Sequence, residues 1–201
     1  MPLPASIDRD LMHNRDIDCR GYRRSDGLWD IEAHIVDTKP YSYDDPLGKK
    51  VEAGRPVHAM WLRITIDEEL LIHDAVAASD ETPYATCQLA APNFARLKGV
   101  RIGPGWWQEV RQRVGGKAGC THIVELLRPM ATTAYQTLTA LEPYDGSVDP
   151  ERRPQWLDTC YAHAADSPVT AKLFPAFYTG SFPIAQNGID PAPRKNPEST
   201  K

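Results

Sequence analysis

The chain has 201 residues, of which 23 are Lys or Arg and 27 are Asp or Glu, so its formal net charge is −4. Nucleic-acid binding depends on clustered basic side chains, and because this acidic chain has no such cluster we expect no nucleic-acid partner. Hydrophobic residues make up 41% and charged residues 25%, which is the usage of a folded globular domain and not of a disordered chain.

The hydropathy pattern and the cysteines indicate the cellular compartment and the domain organisation. No stretch approaches the roughly 18 consecutive apolar residues of a membrane span, and the first residues lack the apolar region of a secretory signal. We therefore expect a cytoplasmic protein with no membrane partner. We expect one folded domain over residues 17–177 and a disordered, Pro-rich tail over residues 182–201. Reduced thiols are expected for four widely spaced cysteines, which form no C-x-x-C pair: Cys19, Cys87, Cys120 and Cys160.

Three segments of the N-terminal half have patterns typical of strands. Between residues 28 and 38, apolar residues such as Ile31 and Ile35 alternate with polar ones, which predicts a half-buried strand. Residues 57–66 alternate in the same way. A third apolar run covers residues 70–78 after an acidic turn. These segments predict an antiparallel three-stranded sheet.

Beyond Pro83 the apolar residues adopt helical spacing. We predict short helices over residues 92–98 and 104–114, a long one over 120–141 that contains Pro129, and a last one over 154–164. Strands first and helices afterwards predict an α+β domain, in which the three-stranded sheet from the N-terminal half packs against C-terminal helices.

Four side chains on the first two predicted strands suggest a binding surface. Glu32 and His34 project from one face of the first strand, and Trp61 and Arg63 share the polar face of the second. A carboxylate beside an imidazole, a guanidinium and a flat aromatic wall suit acid-base chemistry on a small molecule. The alternative is a solvated sheet face with cross-strand ion pairs.

Two further histidines and a thiol are also candidates. Cys120 falls at the start of the longest predicted helix, where the helix dipole favours a thiolate, and His122 follows two residues later as a candidate catalytic group. His58 opens the second strand on its aliphatic face. The alternatives are a small buried cysteine, a solvent-facing His122 and a hydrogen-bonded edge histidine at position 58.

A weaker set of polar residues surrounds these positions. Asp74 lies inside the apolar run of the third strand, where a carboxylate needs a partner, and Arg63 is its nearest one by topology. Tyr22 and Arg23 belong to a basic and aromatic cluster before the first strand. We assign Tyr22, Arg23, Trp61 and Asp74 to substrate binding, although an ion pair at Asp74 and a solvated cluster at Tyr22 are the structural alternatives.

Several continuous runs resemble a bacterial family, domain-of-unknown-function family 2889. The similarity extends from about Cys19 to Gln136. Where the family carries Asp after the histidine that matches His58, this chain has Ala59. The runs that carry the resemblance are residues 19–34, 36–39, 58–63, 83–87, 103–106, 119–122 and 125–127.

The resemblance implies that the protein acts on aromatic compounds. It suggests a lyase that needs no cofactor and that releases formaldehyde from lignin-derived diaryl alcohols by a retro-aldol type cleavage. In that reading His34 or His58, with Glu32, removes the hydroxyl proton and Arg63 stabilises the electrons left behind.

Two other functions remain open from the sequence. One is a zinc or iron–sulfur protein that uses Cys87, Cys120 and His122, with Cys160 as a further donor. The other is a binding module without catalysis. Trp106 and Trp107 are candidates for a homodimer contact, since aromatic residues are enriched at interface centres, or they belong to the core.

Overall fold

The computed structural model describes residues 3–139, 153–154 and 156–180. The chain divides into two compact units, Met1–Glu142 and Pro143–Lys201. The predicted tail over residues 182–201 lies outside the described residues, and the extent of the predicted domain, 17–177, stays a prediction. All four cysteines are free thiols, as the sequence predicts.

The first unit is built on one antiparallel sheet and a small hairpin. The strands are β1 (Asn14–Arg23), β2 (Trp29–Thr38), β3 (Tyr43–Asp44), β4 (Lys50–Val51), β5 (Pro56–Ile66) and β6 (Ile72–Glu81). The main sheet has the order β1-β2-β5-β6, and β3 pairs with β4. The predicted α+β class is confirmed, but the prediction of three strands is wrong because β1 adds a fourth at the edge.

Strand β1 has no apolar row that would reveal it in the sequence. Eight of its ten residues are exposed, because it forms one edge of the sheet. The residues read as a cluster before the first strand are therefore strand residues: Tyr22 pairs with Asp30 and Arg23 with Trp29. Charged side chains are common on edge strands, where they prevent further pairing.

The helices pack against one face of this sheet. They are a 3-10 helix (Ala85–Leu97), α1 (Trp106–Val114), a short 3-10 turn (Gly116–Ala118) and α2 (Thr121–Thr139). Helix α2 contacts β1, β2 and β5, and the Ala85–Leu97 segment contacts β6. We call this sheet face the covered face and the opposite one the open face. The end of the long helix predicted at residue 141 lies outside the described residues.

The core lies between the covered face and the helices. Ile31 and Ile35 of β2 meet Met60 and Leu62 of β5 there, and Trp106 is also buried. Gly21 of β1 lets α2 approach closely, because a Cβ atom at this position would collide with Thr137. This close approach packs the C-terminal part of α2 against β1.

The second unit contains short helical segments. They are two 3-10 turns, Tyr161–His163 and Pro175–Phe177, and α3 (Pro168–Leu173). Ser167 caps α3 by accepting a hydrogen bond from the Thr170 amide at 3.1 Å. The helix predicted over 154–164 is wrong, because the described residues of this range form turns and bends, with 3-10 geometry at Tyr161–His163. Within the described part of the chain, no helix combines the length and hydropathy needed to cross a membrane.

Candidate acid-base site

Three strands contribute one residue each to a polar row at the end of the covered face. Arg15 of β1 lies opposite Asp37 of β2, and Asp37 lies opposite His58 of β5. All three continue the alternation that points Ile35 and Met60 into the core. The polar row is therefore the end of the apolar core, beside the first turn of α2.

Asp37 is the centre of this row and has no exposed surface. The Arg15 guanidinium donates to both carboxylate oxygens, Nε to Oδ1 at 2.7 Å and Nη2 to Oδ2 at 2.8 Å. His13 lies 3.2 Å from Oδ1, and Arg15 also reaches Glu125 of α2 at 2.5 Å. Burial raises the pKa of Asp37, but the hydrogen bonds and charge of Arg15, with His58 and His13, outweigh it and hold this pKa at about 2.

The ionised carboxylate fixes the tautomer of His58. His58 Nδ1 lies 2.9 Å from Asp37 Oδ2. Because a carboxylate can only accept hydrogen bonds, Nδ1 must carry the proton and donate it. A neutral His58 then has its lone pair on Nε2, which is the arrangement of a general base oriented by a carboxylate.

His122 stacks on His58 from the first turn of α2. The ring centroids are 3.7 Å apart, and His122 Nε2 lies 3.8 Å from Asp37 Oδ2. On its other side, His122 Nδ1 lies 3.8 Å from Cys120 Sγ, and that sulfur lies 3.7 Å from Met60 Sδ. Cys120 and His122 therefore lie beside each other at the helix start, and the contacts extend to His58. We call Asp37, His58 and His122 the histidine cluster.

Both imidazoles of the histidine cluster favour the neutral form. Burial lowers the pKa of His58, and the neighbouring Asp37 only partly opposes this. Burial also lowers the pKa of His122, and repulsion from His58 lowers it further. The side chains remain 16% and 24% exposed, so a small molecule can reach the rings. Neutral, reachable imidazoles can accept protons or bind metal ions.

The other predicted catalytic residues lie on the open face. Glu32 pairs with Arg63 across β2 and β5, with 3.7 Å between Oε1 and Nη1, and His34 stacks on Trp61 at 3.7 Å. The Trp61 indole donates to Asp80 at 2.8 Å. The structure thus brings these four together as predicted, but on the sheet face opposite the histidine cluster.

The remaining predicted binding residues are scattered. Tyr22 and Asp74 are exposed at open-face positions, opposite Asp30 and Thr65. The ion pair predicted between Asp74 and Arg63 is wrong, since Arg63 pairs with Glu32 instead. Arg23 points to the covered face, where its guanidinium lies 5.6 Å from the centroid of the Trp29 ring.

Within the described residues of the first unit, Cys87 and Cys120 do not form the metal site proposed from the sequence. There, the histidine cluster is the one group of three ligating side chains whose donor atoms all lie within 4.8 Å of one another. Cys87 lies in the Ala85–Leu97 segment and belongs to no such group. Cys160, in the second unit, lies 3.4 Å from His163 Nδ1.

One surface cavity of about 200 Å³ is lined by none of the residues of the histidine cluster. It is bounded by the β3–β4 hairpin, the start of β5 and the end of β6, and includes Lys50, Arg55 and Glu81. Its charged walls balance each other in sign. Neither His58 nor His122 contributes to it.

Sequence reasoning missed Asp37, Arg15 and His13. The signal for Asp37 was present, because it occupies the next position after Ile35 on the buried row of β2, where a carboxylate is costly without partners. Arg15 and His13 gave no signal, because the strand that carries or adjoins them was not recognised.

A comparison with known families assigns the chain. Residues 13–136 match the family model described as "Protein of unknown function (DUF2889)". No curated protein and no solved structure matches the chain. Because the match covers more than half of the chain, the chain belongs to this family. The matched range contains the whole polar row together with His13, Cys120 and His122, so the candidate site lies within the family domain.

Proposed function

We propose that the protein is a lyase that uses the histidine cluster as an acid-base site on an aromatic primary alcohol, such as a lignin-derived diaryl alcohol, and releases formaldehyde without a cofactor. The observation that carries the proposal is the 2.9 Å hydrogen bond between His58 Nδ1 and Asp37 Oδ2. It leaves Nε2 as a proton acceptor on a neutral, partly exposed ring.

The proposed reaction moves one proton through His58. Nε2 accepts the hydroxyl proton of a terminal CH₂OH group, the C–O bond becomes the carbonyl of formaldehyde, and the adjacent C–C bond breaks. The electron pair of that bond forms a C=C bond as a hydroxyl leaves the next carbon. The imidazolium returns its proton to this hydroxyl, which departs as water, so atoms and charges balance and His58 is regenerated.

Asp37 and Arg15 support this step without contacting the substrate. The carboxylate stabilises the imidazolium that forms on His58, in the role that a buried carboxylate plays beside a catalytic histidine. Arg15 holds the carboxylate ionised and fixed through two hydrogen bonds. His122 stacks on the base and narrows its rotational freedom.

Formaldehyde release tests the proposal directly. Purified protein is incubated with a diaryl propane-1,3-diol, ¹³C-labelled at the terminal carbon, after dialysis against a chelator. We expect labelled formaldehyde and one equivalent of the alkene product. A panel of such alcohols that is bound and not turned over would reject the lyase and favour a binding module.

A further inference from the structure

We propose that Asp37, His58 and His122 also form a binding site for a divalent transition-metal ion of the zinc class, in which the metal replaces the proton between Asp37 and His58. The inference rests on the proposed function, because a metal ion on His58 Nδ1 leaves the ring proton on Nε2. Nε2 can then no longer accept the substrate proton, so the metal acts as an inhibitor. It differs from the cysteine-based site considered above in all ligands except His122.

The spacing of the donor atoms suits one small cation. With metal–nitrogen and metal–oxygen distances of about 2.0–2.2 Å, two ligands of a tetrahedral site lie roughly 3.4 Å apart. His58 Nδ1 and His122 Nε2 lie 2.9 and 3.8 Å from Asp37 Oδ2. The two distances from Asp37 therefore differ from this spacing by about half an ångström, and all donor atoms lie within 4.8 Å of one another.

The donor types select the metal. Two imidazoles and one carboxylate suit zinc, iron, cobalt or nickel, whereas magnesium and calcium prefer sites made of oxygen ligands. Three protein ligands leave a fourth position for water, and the partly exposed edges of His58 and His122 give access to it. The donors therefore favour a transition-metal ion over Mg²⁺, and Zn²⁺ represents this class in the experiment.

Arg15 makes this an exchangeable site. Its guanidinium already compensates the charge of Asp37 through both oxygens, so the metal gains less from the carboxylate than in a site with a free one. Cys120 does not complete the coordination sphere, since its sulfur lies beside His122 Nδ1 and the metal takes Nε2. A metal ion that binds reversibly to His58 would act as an inhibitor of the proposed lyase reaction.

The experiment titrates the chelator-treated full chain with Zn²⁺ by calorimetry and with Co²⁺ by visible absorption. The matched control is His73→Ala, because His73 forms an Asp–His pair with Asp67 at 2.8 Å, outside the histidine cluster. We expect one metal per chain, unchanged affinity in His73→Ala, and binding in His122→Ala and in His122→Gln that is weakened by more than the roughly 10- to 100-fold cost of losing an outer-shell partner. Two variants of different size are used, and circular dichroism verifies their fold.

Three outcomes overturn the inference separately from the lyase. Absence of Zn²⁺ binding in the wild type removes the metal site and leaves formaldehyde release untouched. Equal affinity in folded His122→Ala and wild type removes the ligand assignment. Formaldehyde release that rises with Zn²⁺, where we expect it to fall and to recover with chelator, removes the inhibitory role and the cofactor-free chemistry together.

Discussion

Replacement of His58 by Ala is expected to lower kcat/KM for formaldehyde release by about 10²- to 10⁴-fold, which is the usual contribution of a positioned general base. The imidazole supplies the only proton acceptor in the proposed step, and Asp37 cannot replace it because Arg15 occupies both its oxygens. Steady-state rates at saturating and limiting substrate measure the effect.

His34→Ala is the matched control for this prediction. His34 is also stacked on an aromatic ring, but it lies on the open face with Trp61. We expect its rate to stay within a few-fold of the wild type. The reverse pattern, with activity lost in His34→Ala or Arg63→Ala and kept in His58→Ala, would move the site to the open face.

Asp37→Ala is expected to reduce the free energy of unfolding by about 3 kcal/mol, at the lower end of the range for breaking a buried ion pair because Arg15 remains partly exposed. The substitution leaves Arg15 with only Glu125 and removes the acceptor of His58. Urea unfolding at neutral pH measures the change. The control is Asp18→Asn, which removes the carboxylate of a solvent-exposed ion pair with Arg20 and should change the free energy of unfolding far less. Equal losses of unfolding free energy in the two variants would show that the buried pair stabilises the fold no more than the exposed pair does.

The same carboxylate gives stability a defined acid dependence. The pKa of Asp37 is lowered from 3.8 to about 2, so the unfolded chain binds this proton first as the pH falls. Its stabilisation is complete above pH 4 and is lost as the pH falls through about 2. The lowered pKa values of His58 and His122 act in the same direction, starting below their ordinary value of 6.5. Asp37→Ala should flatten the acid slope between pH 4 and 2, and an unchanged slope would contradict the assignment.

The sequence predicts the centre of the sheet well and its edge poorly. Ile31, Ile35, Leu62 and Ile64 alternate because one face of β2 and β5 is buried, so both strands and their register could be predicted. Strand β1 has no such row, because its partner β2 supplies the buried surface. Strand β1 is defined instead by its hydrogen bonds to β2, which the hydropathy pattern does not show.

The sequence predicts single members of the candidate site but not the contacts between them. His58 and His122 drew attention as titratable groups at the start of a strand and of a helix. Their meeting depends on how α2 packs over the sheet, which local sequence does not encode. The alternation of the strands places Glu32, His34, Trp61 and Arg63 on one face and His58 on the other. It could not reveal that His58 meets His122 there.

The protonation state of His58 tests the central claim most directly. Long-range ¹H–¹⁵N correlation spectra of ¹⁵N-labelled protein, assigned with His58→Gln, report which ring nitrogen carries the proton and the pH at which the ring titrates. We predict a proton on Nδ1, a bare Nε2 at neutral pH, and a pKa below 6.5 because of burial. A proton on Nε2, or a ring that is already cationic at neutral pH, would contradict a base held ready by Asp37.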